Sequence, residues 1–297
     1  MMIREPLVAG RFYPADPKTC LAELVALLDA VQLDNAARSS TPTQTRFCGG
    51  LVPHAGWIYS GPVAATVFKL LAMWCSPTVV VLFGGVHRYR GKHSAMFGQG
   101  RWQTPLGPVQ IDARLAERIR GHTNLIVEDS YAHEEEHSIE VQLPFIKHLF
   151  PSANIVPIMV PNAKSASEVG QAVARTLQAN RYNALIVGTT DLTHYGPHYG
   201  FVSKGVGTEA NAWAKNVNDQ RFVELACRMR CEELVAEASM HKNACSSGAA
   251  AATIAATLAL GATRGVLLAH TSSSEVTAGR MMEQATDSVG YAGIVFL

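Results

Sequence analysis

Residues 78–85, TVVVLFGG, decide the fold. Six apolar or β-branched residues closed by two glycines are too few for a helix. They are also too uniformly apolar for a strand with one wet face, so the run predicts a strand buried on both sides. Upstream, residues 49–56 read GGLVPHAG and close on glycine in the same way. About a dozen of the residues between the two runs fit a helix, which makes a strand–helix–strand unit. Further buried strands are predicted at Asn154–Val160, Ala184–Thr190, Gly265–His270 and residues 290–297, with helices at Thr19–Val31 and Ser165–Ala179. The segment NAARSSTPTQT at 35–45 reads as a polar loop too short to divide the chain. Apolar strands alternating with helices imply an α/β protein, with a mostly parallel or mixed central sheet covered by helices. No internal repeat and no Pro-, Gly- or Ser-rich divider interrupts the chain, so residues 1–297 are expected to form a single domain.

Composition narrows the function. Hydrophobic residues make up 48% of the 297 and charged residues 16%, a globular balance with no surplus charge. The 25 basic and 24 acidic side chains are scattered, leaving a net charge of +1 and none of the basic stripe that phosphate-backbone binding needs. Nucleic acid is therefore not an expected partner, and neither is a membrane, since nothing approaches an apolar span of about 20 residues. The start MMIREPLVAG lacks a basic segment followed by an apolar run, which gives the expectation of a cytoplasmic protein. Six dispersed cysteines form no CxxC pair and hence neither a disulfide framework nor a zinc knuckle. The closest two, Cys227 and Cys231, are four apart and would share one helix face, where packing is the simpler role.

The chemistry gathers where strands end. Three runs, VPHAGWIYSG (52–61), LFGGVHRYRG (82–91) and VGTTDLTHYG (187–196), each pass from a strand into a glycine-flanked polar turn. In open α/β sheets the carboxyl ends of strands line the ligand crevice, so His54, His87, Asp191 and His194 are expected at one edge. Between them lies YAHEEEHSIEVQLPF (131–145), whose HEEEH satisfies the HExxH pattern of zinc proteases. On a helix, His133 and His137 would ligate and Glu134 would serve as general base. Against that reading, Pro144 follows seven residues after His137 and no specific third ligand is evident. Finally, Cys245 stands just before an alanine-rich helix opening at Ser246 or Ser247, a position that lowers a thiol's pKa and favours the thiolate that binds metal.

In order and spacing, VAGRFYP (8–14), VPHAGWIYSG, VVVLFGGVH, EEEHSIEVQLPF, GTTDLTHYG, HKNAC (241–245) and DSVGYAG (287–293) resemble the Memo family. Its bacterial and archaeal members are called AmmeMemoRadiSam system protein B. The resemblance spans about Arg4 to Phe296 and implies a fold like that of class III (LigB-like) extradiol dioxygenases. It also implies a metal site of His54, His87 and Cys245, with catalytic candidates His194, His137 and Asp191 lining the same pocket. Iron(II) is the first expected cofactor, with copper or zinc following. The implied activities are a non-haem redox reaction on a small oxygenated substrate, or a non-catalytic metal- or peptide-binding role. Radical-SAM and Ammecr-type proteins are the implied partners. Two positions depart from the family pattern: Arg88 replaces a second histidine after His87, and SSGA follows Cys245 in place of the usual Gly-Arg.

Overall fold

A computed structural model of the chain describes residues 2–33, 48–278 and 286–297. The polar segment expected at 35–45 lies outside the described residues. In chain order the strands are β1 (Ile3–Arg4), β2 (Cys48–Val52), β3 (Val79–Gly84), β4 (Ser94–Met96), β5 (Arg101–Trp102), β6 (Val109–Gln110), β7 (Ile126–Glu128), β8 (Asn154–Met159), β9 (Ala184–Thr189), β10 (His194–Tyr195), β11 (Gly265–Ser272) and β12 (Ser288–Phe296). Nine of them form one mixed sheet in the order β10-β12-β2-β9-β3-β8-β4-β7, with β11 pairing on β12. The middle, β2-β9-β3-β8, is parallel, whereas β12 runs antiparallel to β2 and β4 antiparallel to β8. A small sheet of β1, β5 and β6 sits apart.

The reason β3 reads as an unbroken apolar run is that both faces of the sheet are covered. Val79, Val81 and Phe83 join the cluster that packs under the helices Ala166–Ala179 and Ser247–Ala259. Val80 and Leu82 point the other way, into the cluster under Pro17–Asp29 and Trp57–Trp74. Period-two alternation thus distributes one apolar string between two cores, each fully buried large side chain contributing about 1.5–3 kcal/mol. The alanine-rich helix Ser247–Ala259 lies so close to Ala166–Ala179 that a Cβ on Gly170 would run into the Ala252 carbonyl. Small residues permit that approach, which brings the start of the helix and the adjoining Cys245 against the sheet edge.

Several boundaries differ from expectation for identifiable reasons. The first helix starts at Pro17, because Asp16 caps it by accepting from Thr19 N at 2.9 Å and proline is tolerated in the first turn. The second runs 18 residues, Trp57–Trp74, and accommodates Pro62 near its start. Cys227 and Cys231 do not share a helix face: the helix Gln220–Cys227 ends there, and Met229 adopts a left-handed φ of 58° that turns the chain away. Among the described residues neither thiol is in a disulfide, and the same holds for Cys20 and Cys245. No helix among the described residues is long and apolar enough to cross a membrane.

Candidate metal centre

The carboxyl ends of β2, β3 and β9 deliver His54, His87 and Asp191 to one edge, and β10 begins with His194. Glycine makes the crowding possible at the β3 end, where a Cβ on Gly85 would collide with Ser246 Oγ beside Cys245. The imidazoles of His54, His87 and His137 converge so that one ligating nitrogen from each lies within 4.8 Å of the others. The His87 and His137 rings stack at 4.7 Å, and His54 stands edge-on to both, at 5.2 and 5.6 Å. Phe12 closes the far side, its ring 5.0 Å from that of His137.

His87 and His54 are each aimed by a partner. His87 Nδ1 lies 3.0 Å from both oxygens of Glu136, whose carboxylate also accepts from the backbone N–H groups of His87 (2.9 Å) and Ser138 (2.8 Å). A carboxylate only accepts, so Nδ1 carries the proton and Nε2 is left for the pocket. His54 Nδ1 is 2.8 Å from Thr189 Oγ1, and its backbone N–H donates to Asp191 Oδ1 at 2.7 Å. His54 Nε2 in turn stands 3.3 Å from Cys245 Sγ. The sulfur also accepts from the Asp191 backbone N–H at 3.3 Å, and Thr190 and Ser246 hydroxyls lie near it. The peptide links of the loop are fixed as well, since Cys245 N donates to the Asp191 carbonyl and Asn162 Nδ2 donates to that of Cys245.

Electrostatics sort these groups into charged and neutral. Burial opposes a Cys245 thiolate, but His54, His194 and His87 outweigh it and hold the thiol well below its ordinary range. Burial likewise opposes the imidazolium of His87, yet bonding to Cys245 and Glu136 lifts its pKa to about 10. His54 and His194 are raised in the same sense, against burial, by Asp191 and Cys245. His137 goes the other way: burial, then the neighbouring His54 and His87, push it down to about 3 and keep it neutral. Within the pocket these directions pair imidazolium charge with a buried thiolate. A metal cation held by neutral imidazoles supplies the same charge.

The donor set fits such an ion. Two imidazoles have Nδ1 occupied by oxygen partners, the Glu136 carboxylate for His87 and the Thr189 hydroxyl for His54, which leaves Nε2 for the pocket in the way that outer hydrogen bonds orient metal ligands. His194 Nε2 is buried without a hydrogen-bond partner. The expected trio His54, His87 and Cys245 and the observed group of three imidazoles share His54 and His87, and Cys245 adjoins the observed group through His54 Nε2. His137, expected as a proton-transfer residue, belongs to the imidazole group itself. Asp191 faces His54 Nε2 at 4.0 Å.

The zinc-protease reading of residues 133–137 does not survive. The segment is a short 3₁₀ turn, Tyr131–His133, followed by irregular chain, so the two histidines have no common helix face. His133 is buried away from the pocket, with Nε2 on the Ala95 carbonyl at 3.0 Å and its ring against Trp102 and Phe97. Glu136, not Glu134, does the work, a role the sequence reading did not assign. Its signal is its place beside His137 in EEEHSIE. Arg4 and Glu140 were also missed. Arg4 donates to the carbonyls of His133 and Glu136 and pairs with Glu140 at 2.8 Å, which ties down the backbone carrying Glu136. Arg88 points outward, 73% exposed and 3.6 Å from Glu135.

Comparison with known proteins shows the family and the fold. Residues 4–295 match the family model described as Memo-like protein. MEMO1 family proteins from Pyrobaculum arsenaticum and Methanopyrus kandleri are 33% and 34% identical to the chain. The matches cover 100% and 99% of this chain and 99% of each relative. A relative from Pyrococcus furiosus is 33% identical over 99% of both chains. Among crystal structures, an uncharacterized protein from Escherichia coli K12 shares the fold, with a TM-score of 0.53 and 9% identity, over 84% of this chain and 98% of that one.

Proposed function

The chain belongs to the Memo family, and from that premise we propose that it is a mononuclear metal protein with redox activity toward a small oxygen-bearing substrate. The observation that carries this reading is the convergence of His54, His87 and His137 within 4.8 Å, with the Cys245 sulfur 3.3 Å from His54 Nε2. His54, His87 and Cys245 would hold the ion, with neutral His137 beside them. Two imidazoles and a thiolate make a set softer than two imidazoles and a carboxylate, suited to iron(II) first and to copper or zinc after it. When bound, the ion supplies a Lewis-acidic, redox-active centre. The protein's own groups do the rest. Glu136 and Thr189 fix the imidazole orientations, and His137, neutral at pH 7, is placed to accept a hydrogen bond from an incoming hydroxyl. His194, beside Asp191 and Cys245, holds a proton to donate. Phe12 packs edge-on against the His137 ring and narrows the approach to it.

The test is metal titration of oxygen-free protein with iron(II), copper(I) and zinc, for the wild type and for His54→Ala, His87→Ala, Cys245→Ser and His137→Ala. One tightly bound equivalent should be lost in the first three variants and weakened at most in the fourth. Loss in His137→Ala with retention in Cys245→Ser makes the site a three-imidazole one, and retention in every variant refutes the centre.

A further inference from the structure

Two of the loops that carry the site rest on a single support. Residues Ala214–Asp219 form a π-helix, set between the helices Thr208–Trp213 and Gln220–Cys227. π-Segments are rare and recur at functional sites, because the wider turn re-aims side chains that a regular helix would send elsewhere. Here it turns the consecutive residues Asn218 and Asp219 toward one target, and both are buried. Asn218 Nδ2 donates to Thr193 Oγ1 at 3.0 Å and to the His241 carbonyl at 2.9 Å. Asp219 Oδ1 accepts from the Thr193 backbone N–H at 2.9 Å, and its other oxygen faces His270 Nε2 at 3.2 Å.

Thr193 stands between Asp191 and His194, so its amide and hydroxyl are gripped together. Asn243, two residues before Cys245 and fully buried, extends the grip to the second loop by donating from Nδ2 to the Asn218 carbonyl at 2.9 Å. Strand β12 completes the frame: Leu192 N donates to the Gly290 carbonyl at 2.8 Å, and Gly290 N to that of Thr193 at 3.0 Å. Gly290 is required there, because a Cβ would run into the Asp219 carboxylate.

We propose that Asn218 and Asp219 are positioning residues. They lock the loop bearing Asp191 and His194 to the loop bearing Cys245, and so set where the Cys245 sulfur stands relative to His54 and the Asp191 amide. The proposal rests on the metal-centre reading for its cobalt readout but not for its second one. It is tested on the full chain with Asn218→Ala, Thr193→Val and Thr193→Ser. In cobalt(II)-loaded protein, the near-ultraviolet sulfur-to-metal band should weaken and metal affinity fall about tenfold or more in Asn218→Ala and Thr193→Val. Thr193→Ser, which keeps the hydroxyl, should restore both. In protein without added metal, alkylation of Cys245 by iodoacetamide, read at that residue by peptide mass mapping, should speed at least fivefold in the same two variants, because the loops that enclose the sulfur separate, and return to the wild-type rate in the serine variant. If Asn218→Ala fails to fold, the valine–serine pair decides. Wild-type band, affinity and alkylation rate in Thr193→Val overturn the proposal, as does equal loss in the serine variant. A wild type that binds no cobalt overturns the metal-centre reading, and the alkylation rates then decide this one.

Discussion

Replacing Glu136 with glutamine exposes how much of the centre depends on one carboxylate. Both oxygens are in use: one accepts from His87 N–H, the other from Ser138 N–H, and His87 Nδ1 is shared between them. A glutamine keeps one acceptor and turns the other into a donor. Whichever way the amide is oriented, the backbone N–H of His87 or of Ser138 then faces an NH₂ group. Glu136 is 2% exposed, so water does not relieve that conflict, and a buried donor left unmatched costs about 1–3 kcal/mol. Separately, His87 exchanges the anionic partner that fixes its tautomer for at best one neutral amide oxygen. Loss of such a partner weakens metal binding by about 10–100-fold, or about 1.4–2.8 kcal/mol. Two assays separate the effects: thermal unfolding of the metal-free variant reads the first, and competition against a chelator reads the second. A folded Glu136→Gln variant that binds metal within threefold of the wild type would refute the reasoning.

Other outcomes follow from the same geometry. Burial, and then Arg4, push His133 down to about 3, below the ordinary 6.5, so it is neutral when folded and takes up a proton on unfolding. Its contribution to stability is full above pH 6.5 and lost as pH falls toward 3, at about 1.4 kcal/mol per pH unit. His133→Asn should flatten the stability-versus-pH curve by that slope in chemical denaturation, and an unchanged slope counts against it. Metal binding must displace the proton that His87 holds up to about pH 10, so affinity should rise about tenfold per pH unit from 7 to 9. Chelator competition at three pH values checks this, and pH-independent affinity would sink it. Glu134 is exposed and touches none of the site histidines, so Glu134→Ala should leave metal affinity and stability within about 0.5 kcal/mol. A large loss of metal would revive the protease motif.

The strands were legible because a strand covered on both faces needs apolar residues at every position, and TVVVLFGG and NIVPIMV declare that locally. The convergence of His54, His87 and Asp191 was legible for a related reason: parallel strands put their carboxyl ends on one edge whatever their separation in sequence. What could not be read were the supports. Glu136 was one of three consecutive glutamates, and nothing in the string says which one folds inward. That depends on Arg4 holding the backbone of the turn from 129 residues away. Asn218 and Asp219 lie in a π-turn, which has no compositional mark. HEEEH misled because spacing of four implies a shared face only on a helix, and residues 133–137 are not one. The partnering of Cys227 and Cys231 failed on the same assumption.

Strand β12 lies inside the large sheet, between β10 and β2, although it follows every other element in sequence. It braces Leu192 and Thr193, and its Gly290 leaves the space that Asp219 occupies. During synthesis, therefore, the sheet edge that carries His54 cannot close until some two hundred and thirty further residues have emerged. A growing chain could expose its histidines and its thiol one at a time without ever presenting them together. The architecture itself thus delays completion of the pocket until the last strand is in place.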